Sequence, residues 1–211
     1  MPMTRVSSGL LARHEAGSST HPFSVADWQV ESGVSVSLDI EGRLTIAIPG
    51  SAGWHPARYT PIASRSKTLV QLAGRLVSPT GTQNAWVTAG AHIGSGSGTH
   101  LKGGLSIQRT AGERSWIVQH VNGTQTTYAG ADVPRRTAGV DYRVSLYTDG
   151  SAATMYDHDN GVLLGPSTVG LSSGAVGFVA GAAATYALSA WYAMADRYLR
   201  VYNLPPAYRV R

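Results

Sequence analysis

Two carboxylates at alternate positions, Asp39 and Glu41, are the first groups in this chain that could do chemistry. On a strand, residues two apart share a face, and a retaining glycosidase needs two carboxyls about 5–5.5 Å apart. Their neighbours Leu38 and Ile40 are apolar, so the simpler reading is a half-buried strand. Leu38 and Ile40 then point inward, and the acids form the solvent face. Gly170-Leu171-Ser172-Ser173-Gly174 has the spacing of a nucleophile elbow, which requires a strand before the serine and a helix after it. Ala175 to Val179 reads as a strand, so the match is a turn. The seven histidines (14, 21, 55, 92, 100, 120, 158) never fall at i, i+2 or i, i+4, so no transition-metal site is legible. Asp157-His158-Asp159-Asn160-Gly161 offers oxygen ligands to Ca²⁺ but too few for a full calcium loop, and reads first as a hairpin tip. With no cysteine, there is no thiolate ligand, disulfide or cysteine nucleophile. The expectation is a non-enzyme with no cofactor and no metal.

Binding remains. A glycan site needs aromatic faces beside hydrogen-bonding groups on a concave sheet or a loop rim. Trp54, His55, Tyr59, Trp86 and His92 are the candidates, because each falls in or beside a loop-like stretch. The competing reading places Trp86 in the core. Net charge is +5, carried by arginine apart from Lys67 and Lys102. The arginines are scattered, with one pair at Arg135-Arg136 and a group at Arg197, Arg200, Arg209 and Arg211. No basic stripe with interleaved aromatics emerges, so no nucleic-acid partner is expected. Gly174 to Ala195 carries no charge, and about 20 such residues can span a bilayer. It is mostly Ala, Gly and Ser, punctuated by Gly177 and Gly181, and reads as two buried strands without membrane insertion.

The elements that must position these residues are strands. With 43% hydrophobic residues in 211, the chain can bury a sizeable core. Asn122-Gly123, Asp149-Gly150 and Asn160-Gly161 each separate β-rich segments, and each offers the two positive-φ positions of a type I′ hairpin. Leu44, Ile46 and Ile48 share one strand face, as do Tyr142, Val144 and Leu146. Residues 51–67 read as a loop and residues 94–98 as a flexible one. The pattern predicts 12 to 14 strands and no helix. The fold class is all-β, an antiparallel two-sheet jelly-roll sandwich. Residues 1–21 read as an arm, 22–200 as the sandwich, and 201–211 as an extended tail.

Several segments resemble concanavalin A-like jelly-roll domains. They are Trp28 to Gly33 with Glu41 to Ile46, Gly104 to Ile107, Asp141 to Leu146, the Asp149-Gly150 and Asn160-Gly161 hairpins, and Leu171 to Phe178 with the strand through Trp191. The resemblance covers about residues 22–200. It implies a lectin, a glycan-binding module, a laminarinase-type glycosidase or an accessory domain of a phage tail protein. Hydrolases of this fold carry a Glu-x-Asp-x-x-Glu strand motif, which this chain lacks: Ser37 stands where the leading Glu would be. The arms, size and Arg/Ala/Gly-rich composition resemble a small virion protein of an actinobacterial phage. That resemblance implies a minor tail or tail-tip protein, made in the bacterial cytoplasm and located in the virion. Its partners would be other virion proteins, copies of itself, and a host cell-wall polysaccharide. The alternatives are a capsid decoration or head-fibre protein without ligand, and a cell-wall glycoside hydrolase.

Overall fold

The computed structural model describes residues 10–48, 53–79, 87–95, 98–108, 112–134, 138–181 and 184–195. Trp86, Arg135-Arg136 and the 201–211 tail lie outside the described residues. Fifteen strands and one 3₁₀ turn at Val25–Asp27 are present among those described. The first five are β1 (Leu10–Glu15), β2 (Trp28–Gln29), β3 (Ser35–Leu38), β4 (Leu44–Ile48) and β5 (Trp54–Tyr59). Next come β6 (Thr68–Pro79), β7 (Val87–Ile93), β8 (His100–Gln108), β9 (Gly112–Val121) and β10 (Thr124–Val133). The last five are β11 (Tyr142–Thr148), β12 (Ala152–Asp157), β13 (Val162–Thr168), β14 (Ala175–Gly181) and β15 (Ala184–Met194).

They form two antiparallel sheets packed face to face. The eight-stranded sheet runs β13-β12-β11-β6-β15-β4-β3, with β1 beside the far half of β15. The seven-stranded sheet runs β10-β9-β8-β7-β14-β5-β2. Alternation decides which side each residue takes. Leu44, Ile46 and Ile48 are buried between the sheets, while Thr45 and Ala47 are only partly covered. Each large apolar side chain so buried contributes about 1.5–3 kcal/mol. The core ends in an aromatic cluster around Trp191, whose ring centroid lies 5.0 Å from Trp28 and 4.9 Å from Tyr59. The Trp191 indole N–H crosses between the sheets and donates to the Gly177 carbonyl at 3.1 Å.

The uncharged stretch at Gly174–Ala195 is β14 and β15, as its punctuation predicts. No helix among the described residues is long and apolar enough to cross a membrane. Four expectations change besides the strand count, which is fifteen among the described residues against the 12 to 14 expected. Leu10–Glu15, read as part of an arm, is a strand. Its His14 is buried and held by Pro22 O at 2.8 Å and Tyr59 Oη at 2.9 Å. Residues 54–59, read as loop, are β5. Leu38 and Ile40 do not point inward: Leu38 is 45% exposed and Ile40 fully so. The reason is that β3 is a sheet edge that ends at Leu38, and Ile40 sits on the tip of the turn into β4. The type I′ geometry holds at Asn122-Gly123 (φ 49° and 82°) but not at the other two tips, where only Gly150 and Gly161 have positive φ. There a carboxylate does the turning. Asp149 Oδ1 accepts the N–H groups of Ser151 and Ala152, and Asp157 Oδ1 those of Asp159 and Asn160.

Candidate functional site

The outward face of the seven-stranded sheet carries a group of polar and aromatic side chains. The direction of β8 follows from its glycines. A Cβ on Gly103 would strike Leu146 and Met155 of the opposite sheet, whereas one on Gly104 would meet Thr88 of its own. Leu101 and Gly103 therefore face the core, and His100, Lys102 and Gly104 face outward. Register carries the same face to Trp116 and His120 on β9 and to Trp54, Pro56 and Arg58 on β5.

Where β2 and β5 meet the loop after β7, this face has a shallow, open cavity of about 150 Å³. Its polar lining is Gln29, Glu31, Arg58 and Ser95, over Pro56 and Ile93. The Arg58 guanidinium donates to Gln29 Oε1 at 2.5 Å, and His55 Nδ1 lies 2.5 Å from Glu31 Oε1. The Gln29↔Arg58 pairing sets the first contact. The cavity thus offers donors from Arg58 and Ser95 beside acceptors from Gln29 and Glu31.

Further along the same face, Trp54 lies against Gly181, where an added Cβ would come within 2.6 Å of the indole. Trp116 meets Trp54 edge-on with centroids 5.2 Å apart. Lys102 is fully buried, with Nζ 3.2 Å from the centre of the Trp54 ring and 5.1 Å from that of Trp116. Among the described residues Nζ has no hydrogen-bond partner. Burying an ammonium costs several kcal/mol even after relaxation, while a cation–π contact returns about 2 kcal/mol when desolvated. Desolvation wins, and the Lys102 amine is pushed down to about 5. Beside it His100 and His120 stack at 4.6 Å. Burial, and then the charge of Lys102, push His120 down to about 4.

Of the residues expected from sequence, Trp54 lies on this face, whereas His55 alternates to the other side of β5 with Ala57 and Tyr59 and pairs with Glu31. Tyr59 belongs to the core, because β5 alternation turns it inward onto Trp28 and Trp191. Burial raises its phenol, with a further push from Asp27. His92 is 1% exposed, its Nε2 lies 3.1 Å from Ser66 O, and burial lowers it. It does not line the cavity. Trp86 is outside the described residues. Gln29, Glu31, Arg58, Ser95, Lys102 and Trp116 were not anticipated. One signal was there for Lys102, one of two lysines and set between Leu101 and Gly103-Gly104.

The groups that looked catalytic are committed elsewhere. Asp39 accepts the Glu41 and Arg43 N–H groups at 2.9 Å and the Arg43 guanidinium at 2.7 Å, and Arg43 also pairs with Glu41. Burial raises the Asp39 carboxyl, but Arg43 and the backbone donors outweigh it and the net shift is downward. A glycosidase acid needs the opposite shift. Gly170–Gly174 leads into β14, not a helix. Asp159 accepts both the Arg143 guanidinium and its backbone N–H, and Asp157 accepts Ser115 Oγ–H and the Asn160 amide. No group of three or more metal-ligating side chains occurs among the described residues. Ser145 Oγ lies 2.7 Å from His158 Nε2, a nucleophile–base distance. Ser145 and the neighbouring Gln71 are buried while His158 is partly covered, and Gln71 also lies within hydrogen-bond distance of the same Nε2, so the three form one polar network.

No family model matches this chain, and no curated protein matches it. Its similarity is to solved structures. A carbohydrate binding module, CBM66 from Bacillus subtilis, matches with a TM-score of 0.65 and 14% identity, over 80% of this chain and 96% of that one. A protein of unknown function with galectin-like fold from Bacillus subtilis matches with a TM-score of 0.60 and 15% identity, over 89% and 97%. The exoplasmic/lumenal domain of VIP36, in a Ca²⁺/Man3GlcNAc-bound form, matches with a TM-score of 0.60 and 7% identity, over 92% and 91%. The fold is therefore a lectin-like, concanavalin A-like β-sandwich.

Proposed function

We propose that the protein is a non-enzymatic glycan-binding component of a phage particle. In this reading it is a minor tail or tail-tip protein that assembles as a homo-oligomer and holds a host cell-wall polysaccharide against its seven-stranded sheet. The observation that carries the binding reading is the cavity at Gln29, Glu31, Arg58 and Ser95. Sugar hydroxyls both donate and accept, and this lining supplies both roles within one shallow depression. The fold shared with a carbohydrate binding module supports it. A cavity of about 150 Å³ covers little more than one sugar ring, so single-site binding is weak and several copies supply avidity. The virion setting is supported by the resemblance of the sequence to phage tail domains.

Arg58→Gln is the test. Loss of a charged donor costs about 1.5–3 kcal/mol, so envelope binding falls about tenfold or more. Thermal stability stays nearly unchanged, because Arg58 is partly exposed and its side chain bonds only to Gln29 among the described residues. Envelope binding is measured by sedimentation, and stability by calorimetry. Equal binding by the variant removes this cavity from the account. No binding by the oligomeric wild type to any host envelope leaves a capsid or tail component without ligand.

A further inference from the structure

Lys102 is fully buried against Trp54 with no hydrogen-bond partner for its amine among the described residues. Trp54 itself is only partly covered, so it is the outermost layer over the amine. We infer that Lys102 is a proton-operated latch on Trp54: neutral, it packs under the indole, and protonated, it drives the indole off the sheet and exposes the Trp54–Trp116 pair. The observations are the 3.2 Å seat on the ring, the complete burial, and the charge of the surroundings.

The neighbouring groups add to the effect. On β8 itself His100 faces the same way, and on β9 His120 and Arg114 do. On β5 the next ionisable side chain on this face is Arg58, and β7 carries His92 one residue before its end. Within β14 no side chain ionises. On β10 the acid is Asp132, 3.9 Å from Arg114 with its side chain 78% exposed. Glu31, across the face, pairs with His55 through one carboxylate oxygen. Acidification thus adds charge of one sign to a face with no carboxylate seated on Lys102 among the described residues.

The sign follows from linkage. An exposed lysine has its ordinary value of 10.5, and the covered one is lowered to about 5. Between those values opening takes up a proton, so each unit of falling pH favours the open form about tenfold. The closed form is most stable above the ordinary value, and the dependence ends below the covered one. His120, lowered from 6.5 to about 4, adds a second proton over that narrower window and steepens the response there.

The experiment compares wild type with Lys102→Met, which keeps the apolar stem and removes the titrating group. Acrylamide quenching of tryptophan fluorescence is followed from pH 8 to pH 5, with Trp54→Phe identifying the Trp54 contribution. In wild type the Trp54 component becomes more accessible as pH falls. In Lys102→Met only the His120-driven change below about pH 6.5 remains. Identical profiles in both proteins overturn the inference. A second measurement needs no variant. Nitrogen-detected NMR of the wild-type lysine amines should show Lys102 neutral at pH 7, with its titration linked to a shift of the Trp54 indole signal. A Lys102 amine that titrates near its ordinary value, or one that titrates without moving the indole, overturns it too.

Discussion

Gly177→Ala should cost the protein about 3 kcal/mol or more, the top of the range for overpacking. A Cβ at this position would stand 1.9 Å from the carbonyl oxygen of Ala57 and 3.0 Å from its carbonyl carbon. Both are backbone atoms of β5, so no rotamer change relieves the contact. β14 and β5 must separate locally, and the pairing Gly177↔Arg58 that seats the candidate cavity goes with them. Against a total stability of about 5–15 kcal/mol this is a large fraction. Urea unfolding should show a much lower midpoint at a similar slope. A midpoint within error of wild type would mean that β14 and β5 are not packed as closely as described.

Trp191→Ala should cost about 3–5 kcal/mol, the usual range for an emptied aromatic site in a core. Trp191 has no exposed surface, and its ring closes on Trp28, Tyr59 and His14. Deleting it leaves a cavity bounded by other rings that cannot collapse easily, and it removes the indole hydrogen bond to the Gly177 carbonyl. Loss of that hydrogen bond adds about 0.5–1.5 kcal/mol. Trp54→Ala is the contrast, since Trp54 sits on the outer face and keeps partial exposure. Its cost in the same unfolding experiment should be well below that of Trp191→Ala. Comparable losses from the two variants would contradict the division between core and outer face.

Periodicity made the strands legible where one face is apolar. β4, β11 and the β14–β15 pair follow directly from alternation and from the absence of charge. β1 could not be read this way. Leu-Leu-Ala-Arg-His-Glu has no clean period, and its pairing is decided by β15, whose partner residues lie far along the chain. β5 was hidden by Pro56, which usually marks a loop. It is tolerated because β2 is only two residues long and pairs with Arg58 and Tyr59, leaving β5 without a partner on that side at Pro56.

The site was less legible than the fold, for the same reason. Tyr59 looked like a loop aromatic only while β5 looked like a loop; once the strand is placed, alternation sends it inward and Arg58 outward. Gln29, Arg58 and Ser95 come from three separate segments that only the sheet order brings together. Trp54 was anticipated as an aromatic, but not its contact with Lys102, because no local pattern says that β8 and β5 share a face.

The most direct test is an NMR titration of the labelled protein with fragments of bacterial cell-wall polysaccharide, following backbone amides and the arginine Nε–H signals. Saturable shifts centred on Gln29, Glu31, Arg58 and Ser95, with the eight-stranded sheet unmoved, are the predicted result. Saturable shifts on the eight-stranded sheet, or no shift with fragments that the protein binds in sedimentation, would contradict a glycan site on the seven-stranded face.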